Sequence, residues 1–175
     1  MLFLSGTEGF SQGMLKKEQI FLGTGLNLGF FNGFIIGLNP EVGYSLNPVV
    51  DAGISINFNY ITQNSPNLPI TYRQMVYGGG PFLRIWPMSR FFIGGQYEFN
   101  SINYSEKSGG IIQNRISYNA TSLLVGGGFG SRFIGQSQFF TSLMIDLAGD
   151  RKSPYVDQFN RQQLVFRTGF SFYFK

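Results

Sequence analysis

The chain has 175 residues, enough for one domain, and it contains neither cysteine nor histidine, which excludes disulfides, a thiolate nucleophile and any Cys/His metal site. Charged residues make up only 13% and aromatic residues 17%, with 24 glycines and 20 phenylalanines. No run nears the ~20 consecutive apolar residues of a membrane helix, and the net charge of +4 is modest and scattered, which argues against nucleic acid as a partner.

The opening MLFLSGTEGFSQ has a short apolar part and small residues ahead of a candidate cleavage point near Gln12. Residues 1–17 read either as a secretory-signal remnant or as a flexible lead-in, leaving 18–175 as the folded domain. Period-two alternation then recurs eight times. The first segment, about 20–30, sets Leu22, Leu26, Leu28 and Phe30 against Phe21, Gly23, Gly25, Asn27 and Gly29. The second, about 34–44, sets Phe34, Ile36, Leu38 and Val42 against Ile35, Gly37, Asn39 and Glu41. In the third, about 50–61, Ile54, Ile56, Phe58 and Tyr60 oppose Asp51, Gly53, Ser55 and Asn57.

The fourth segment, about 72–86, sets Met75, Tyr77, Leu83 and Ile85 against Gly78, Gly80, Phe82 and Arg84. Pro81 interrupts it, which a ladder tolerates only at a bulge or an edge. The fifth, about 90–103, sets Phe91, Ile93, Tyr97 and Phe99 against Gly94, Gln96, Glu98 and Asn100. The sixth, about 115–130, opposes Leu123, Val125 and Phe129 to Ser122, Gly126 and Gly128. The seventh, about 138–148, opposes Phe139, Leu143 and Ile145 to Ser142, Met144 and Asp146. The eighth, 164–175, carries Phe166, Phe170, Phe172 and Phe174 on one face and Arg167, Gly169 and Ser171 on the other. The intervening turns near 45–49, 87–89 and 131–137 are short; those near 62–70, 104–114 and 149–161 are longer and more polar.

One face of every segment is nearly free of charge and rich in large apolar side chains, while the other holds Gly, Ser, Asn and the in-strand charges. A soluble sheet would turn its polar face outward. This pattern predicts an all-β, eight-stranded antiparallel up-and-down transmembrane β-barrel, since only helices or closed barrels satisfy the backbone in lipid. An internal repeat supports a meander: YGGGPFLRIWPMSRFF at 77–92 returns as VGGGFGSRFIGQSQFF at 125–140, an offset of 48 that aligns Arg84 with Arg132 and places both on the inner face. The GGGFG at 126–130 lies in a strand rather than opening a helix, so it reads as packing space, not as a phosphate loop.

The whole pattern over 18–175 resembles the small eight-stranded outer-membrane barrels, the group of the OmpA transmembrane domain and OmpX, and most of all the Gly- and Phe-rich outer membrane protein beta-barrel domain family. The aromatic row Phe166, Phe170, Phe172 and Phe174 resembles the terminal signal read by the outer-membrane assembly machinery, although Lys175 follows the last Phe. The resemblance implies an integral protein of a Gram-negative outer membrane with both termini in the periplasm. Its implied partners are outer-membrane lipid and lipopolysaccharide, the assembly machinery and another membrane protein. Enzymes of this fold resemble one another in using a catalytic histidine; with none here, no enzyme activity, catalytic residue, cofactor or metal is expected.

Two residue sets stand out. Glu41, Asp51, Glu98 and Asp146 share the inner face with Arg84, Arg132 and Arg167. They form either a paired network plugging the lumen or a polar pathway for small solutes, and an eight-stranded lumen is just wide enough for side chains to fill. By distance from the turns, Glu41, Asp51, Arg84 and Arg132 belong near one end, Arg167 near the middle, and Glu98 and Asp146 further out. The cations Lys107, Arg115, Arg151, Lys152 and Arg161 read either as solvated charge or as contacts to lipopolysaccharide phosphates or a partner protein. A soluble ligand-binding barrel would need the reverse arrangement, with an apolar lumen and a charged exterior.

Overall fold

Side chains that alternate large and small have the period of an extended chain, and they build eight strands: β1 (Ile20–Phe31), β2 (Gly33–Ser45), β3 (Val50–Asn64), β4 (Ile70–Met88), β5 (Phe91–Ser108), β6 (Ile111–Gly130), β7 (Gln138–Asp146) and β8 (Val165–Tyr173). The computed structural model describes residues 16–31, 33–65, 67–109, 111–157 and 159–174. The candidate signal over residues 1–12, Asn32 in the first hairpin and Lys175 lie outside the described residues. Each strand pairs antiparallel with its sequence neighbour, and β1 pairs with β8 from Phe21↔Tyr173 to Leu28↔Phe166, which closes the ring. No helix of the described residues is long and apolar enough to cross a membrane.

The two ends of the barrel differ. The connections 46–49, 89–90 and 131–137 lie at one, the turn end, together with the start of β1 and the end of β8. The hairpin tips and the long β7–β8 connection lie at the other, the loop end. Pro81 sits within β4 on the outward face, and the pairing of β4 with β5 skips Gly80 and Pro81. The ladder therefore gives way at the residue that has no N–H to donate.

The strands facing the loop end are longer than the alternation suggests. Segments expected as loops near 62–70 and 104–114 are largely strand: β3 runs on to Asn64, and β5 and β6 are separated only by residues 109–110. Their alternation continues there, but with polar residues outward, such as Ser101, Asn103 and Ser105, and this polarity reads as loop. β4, β5 and β6 have 19, 18 and 20 residues, whereas β7 and β8 have 9 each. β6 pairs with β7 only over Leu124–Gly130, so three strands stand above the low wall that β7 and β8 form.

Burial is inverted relative to a soluble domain. Among the described residues, 23 polar or charged side chains are buried against 15 hydrophobic ones, while Leu22, Ile54, Phe99, Leu143 and Phe170 point outward and are exposed. The narrow lumen needs glycine where side chains cross it. A Cβ on Gly78 would lie 2.2 Å from Asn100 Oδ1 and 2.4 Å from the Phe99 carbonyl, and one on Gly43 would lie 2.3 Å from the Phe21 ring. The Gly78 contact involves backbone, so it cannot be relieved by a rotamer change.

Closure rests on the last turn of β8. Phe172 and Tyr173 oppose Leu22 and Phe21, and the Phe174 N–H donates to the Ile20 carbonyl. Truncation after Ser171 removes the turn-end part of this seam and leaves the start of β1 with unpaired groups. We expect the truncated chain to be synthesised but to lose the compact, heat-modifiable band of a folded barrel on unboiled gels. A normal folded band from it would contradict this.

Candidate functional site

The lumen is built in layers from the inward positions of all eight strands. At the turn end, Phe21 packs on Phe82 and Tyr173, with ring centroids 6.4 and 5.4 Å apart, and Trp86 packs on Phe92 at 4.7 Å. Asp51 is the polar hub of this layer. It accepts hydrogen bonds from Trp86 Nε1 at 2.8 Å and from Ser45 Oγ at 2.6 Å, and it is paired with Arg132. Arg132 also donates to the carbonyls of Pro48 at 2.8 Å and Asn47 at 2.9 Å and lies 5.3 Å over the Trp86 ring.

The position of Arg132 corrects the reading from the internal repeat. Arg132 is not on an inner strand face beside Arg84 but in the β6–β7 connection, because β6 ends at Gly130 whereas β4 continues to Met88. From there it reaches under the barrel and ties the β6–β7 connection to the β2–β3 turn across the mouth.

One layer in, Arg84 holds Glu41 by two hydrogen bonds, at 2.9 and 2.5 Å, and Ser171 Oγ donates to the same carboxylate at 3.2 Å. The guanidinium lies 4.6 Å over Phe82 and 4.4 Å over Phe140. A planar cation with a forked donor set suits this slot, and a lysine would not fill it.

The middle layer centres on Glu98, which is completely buried. It accepts from Tyr155 Oη at 2.9 Å, Gln96 Nε2 at 3.0 Å, Asn57 Nδ2 at 3.2 Å and Asn100 Nδ2 at 3.3 Å. Arg167 approaches it at 3.5 Å, compensating its charge without hydrogen-bond geometry, and donates instead to Asn27 Oδ1 at 2.6 Å and Gln96 Oε1 at 2.5 Å. Asn27 donates on to Asn59, which donates to Tyr155 Oη, so the network closes on itself.

At the loop end the β7–β8 connection folds inward. Tyr155 is wholly buried in an apolar cluster with Ile35, Ile61, Val76, Ile102, Leu124 and Val165, and only its hydroxyl reaches the polar layer beneath. Ser153 anchors the same segment by donating to Asp146, with Ser122 Oγ 3.0 Å away. Asp146, expected within the charge network, pairs with no arginine among the described residues. It stands where β7 ends and accepts the N–H groups of Leu123 and Ala148, at 2.8 and 2.9 Å. Beside Arg84 and Arg167 there is a void of ≈10 Å³, about the least space that admits one water.

The structure thus joins six of the seven charged lumen residues as three arginine–carboxylate pairs and leaves Asp146 to backbone N–H groups and the Ser153 hydroxyl. Asn27, Asn57, Asn59, Gln96 and Asn100 share the inward parity of the charges and complete the network. Tyr155 and Trp86 add to it, Tyr155 by its bond to Glu98 and Trp86 by its bond to Asp51. The parity of β4 places Trp86 inward, whereas Tyr155 lies in an aperiodic connection that carries no such signal. No set of three acids able to hold a metal occurs among the described residues.

The five candidate surface cations do not form one set. Lys107 and Arg115 lie on adjacent strands, β5 and β6, on the outward face. Arg151 and Lys152 are exposed in the β7–β8 connection. Arg161 in that connection is already engaged, pairing with Asp157 at 2.8 Å. Slight burial would raise the Asp157 carboxyl, but hydrogen bonds from the Arg161 backbone and side chain and from the Phe159 N–H outweigh it and hold the group below its ordinary range.

Removing Arg84 strands the buried Glu41 carboxylate. Arg84→Ala is expected to destabilise the folded barrel by about 3–5 kcal/mol, and Arg84→Lys to recover only part of this because it cannot bind both oxygens while stacked. The double variant with Glu41→Ala should lose less than the sum of the single losses. Thermal or urea unfolding in detergent measures all three; additive effects would show that the pair is not coupled.

No family model matches the sequence, and no curated protein matches it. Solved structures do. The fold is similar to that of CarO2 of Acinetobacter baumannii, at 12% identity and TM-score 0.53, covering 89% of this chain and 99% of that one. It is similar to Neisserial surface protein A, at 12% identity and TM-score 0.51, covering 89% and 96%. It is similar also to Ail, the attachment invasion locus protein of Yersinia pestis, at 15% identity and TM-score 0.50, covering 89% and 97%. The likeness is one of fold: this chain has the architecture of the small eight-stranded outer-membrane barrels of the OmpA and OmpX type.

Proposed function

We propose that the chain is an integral barrel of a Gram-negative outer membrane, with a lumen plugged by its own side chains and a structural or interaction role rather than transport or catalysis. The observation that carries this reading is the sealed polar layer. Two arginine–carboxylate pairs, Arg84–Glu41 and Arg167–Glu98, lie between the turn-end layer, which holds the third pair Arg132–Asp51 among its aromatics, and the Tyr155 cluster at the loop end. An ion-selective ring would carry one dominant sign at one level; here each arginine faces a carboxylate.

Outward apolar positions supply the lipid surface, and polar outward residues on β5 and β6 stand in water beyond it. On this reading the folded domain spans 18–175, the termini and short turns face the periplasm, and the loop end faces outside. Phe166, Phe170 and Phe172 on the outward face of β8, and Phe174 just beyond it, are all exposed and available to the assembly machinery. Lys107, Arg115, Arg151 and Lys152 are the cations placed to meet lipopolysaccharide or a second membrane protein. Arg161 is a weaker candidate because Asp157 already holds it.

Conductance tests the plug. The purified barrel in planar bilayers is expected to show no steady single-channel current, whereas a stable, salt-dependent conductance from the unmodified chain would establish the narrow-pore reading instead. Recovery of the folded protein without detergent would contradict the membrane reading itself.

A further inference from the structure

The outward face of the strands carries almost no charge, and the exceptions are all in one place. Following the register, the charged outward positions among the described strand residues are Arg73 on β4, Lys107 on β5 and Arg115 on β6. Every acid in the strands takes the inward parity. All three exceptions are cations, and they are neighbours. Arg73 opposes Ser105, and Ser105 opposes Arg115, so the arginines stand two strands apart, about 10 Å. Lys107 is two residues along the same face of β5. Glu106, between them in sequence, points the other way and accepts from the Tyr104 hydroxyl at 3.1 Å. No described carboxylate pairs with any of the three cations.

The patch is also concave and set at a particular height. Tyr60, Arg73, Met75, Ser105, Ile112 and Arg115 line a groove of ≈560 Å³ on the outward face. Immediately toward the turn end lie the outward aromatics Phe58, Tyr60, Tyr77, Tyr97 and Phe99, with Phe58 and Tyr77 in edge contact at 6.1 Å. Aromatic side chains of this kind mark the boundary between hydrocarbon and headgroups. Three cations with no described carboxylate partner stand just beyond that boundary and meet whatever anion the membrane presents there.

We propose that Arg73, Lys107 and Arg115 form a site for a phosphorylated lipid headgroup of the outer leaflet, with the lipid's apolar part lying against Tyr60 and Met75. The proposal rests on the membrane reading above and names the lipid contact within it; Arg73 joins Lys107 and Arg115 only through the strand register. Arginine forks match phosphate oxygens in pairs. A free anion would bind exposed cations weakly in water, whereas a lipid is held at this height by its own anchoring, which supplies the local concentration.

The test uses the intact barrel in neutral-detergent micelles doped with a phosphorylated glucosamine lipid or with the same lipid dephosphorylated, and counts lipid retained per barrel by native mass spectrometry. The phosphorylated form should be retained, and R73Q/K107Q/R115Q should lower its retention about tenfold. The charge-matched control K16Q/K17Q/R90Q, at the turn end, should leave retention unchanged. Equal loss in both triple variants, or equal retention of the two lipids, would overturn the site. So would displacement of the lipid by an equimolar amount of inorganic phosphate, which would indicate a free-anion site. Heat-modifiable migration of every variant shows that the barrel is folded. If the unmodified chain fails to enter micelles as such a barrel, it is the membrane reading that falls, and the site falls with it.

Discussion

The interaction on which everything else depends is the seam between β1 and β8. A sheet of eight strands has two edges, and pairing Phe21–Leu28 with Tyr173–Phe166 removes both. Once the ladder is closed, each backbone group of the paired region has a partner within the wall, and side chains are free to sort by face alone. That sorting can run in either direction. Here it runs apolar-out, which is stable only where the surroundings are themselves apolar.

Sorting apolar-out leaves the lumen with the opposite problem. Its walls carry the acids and arginines of the strands, and a charge buried without compensation is costly. The chain answers in three ways. Each arginine is matched to a carboxylate, at 2.5 Å for Arg84 with Glu41 and 3.5 Å for Arg167 with Glu98, and directly for Arg132 with Asp51. Amides such as Gln96 and Asn100 take up the remaining oxygens. Glycines such as Gly78 keep the wall thin enough for Asn100 to cross. The apolar cluster around Tyr155 then separates this layer from the loop end. The fold and the paired polar layer are thus one consequence of the same alternation.

The alternation was legible because it needs no knowledge of register: a period of two assigns a face to every residue, and Glu41, Asp51, Arg84, Glu98 and Arg167 could be placed inward from their neighbours alone. What alternation cannot supply is reach. The extension of β5 carries Asn103, Ser105 and Lys107 outward, and a polar outward face looks like a loop until the partner strand is known. Arg132 departs from the position the repeat implies for a related reason, since a repeat aligns residues and not the points at which strands end. Ser153 and Tyr155 sit in a connection without periodicity, and only tertiary structure shows that it folds inward. The basic patch was half visible: Lys107 and Arg115 stood out as cations, but Arg73 joins them only through the register of three strands.

The central claim is that the outward face of this barrel meets lipid while its lumen face is closed to solvent, and the absence of cysteine allows a direct measurement. Single cysteines at Ile54, Ile56 and Phe58, outward on β3, can be spin-labelled in bilayers and probed with oxygen and with a water-soluble nickel chelate. The account predicts high oxygen and low chelate accessibility at all three. It also predicts that Ser55→Cys, inward between them, resists a water-soluble thiol reagent until the barrel is unfolded. Chelate access to the outward labels, or rapid reaction at position 55 in the folded barrel, would contradict it.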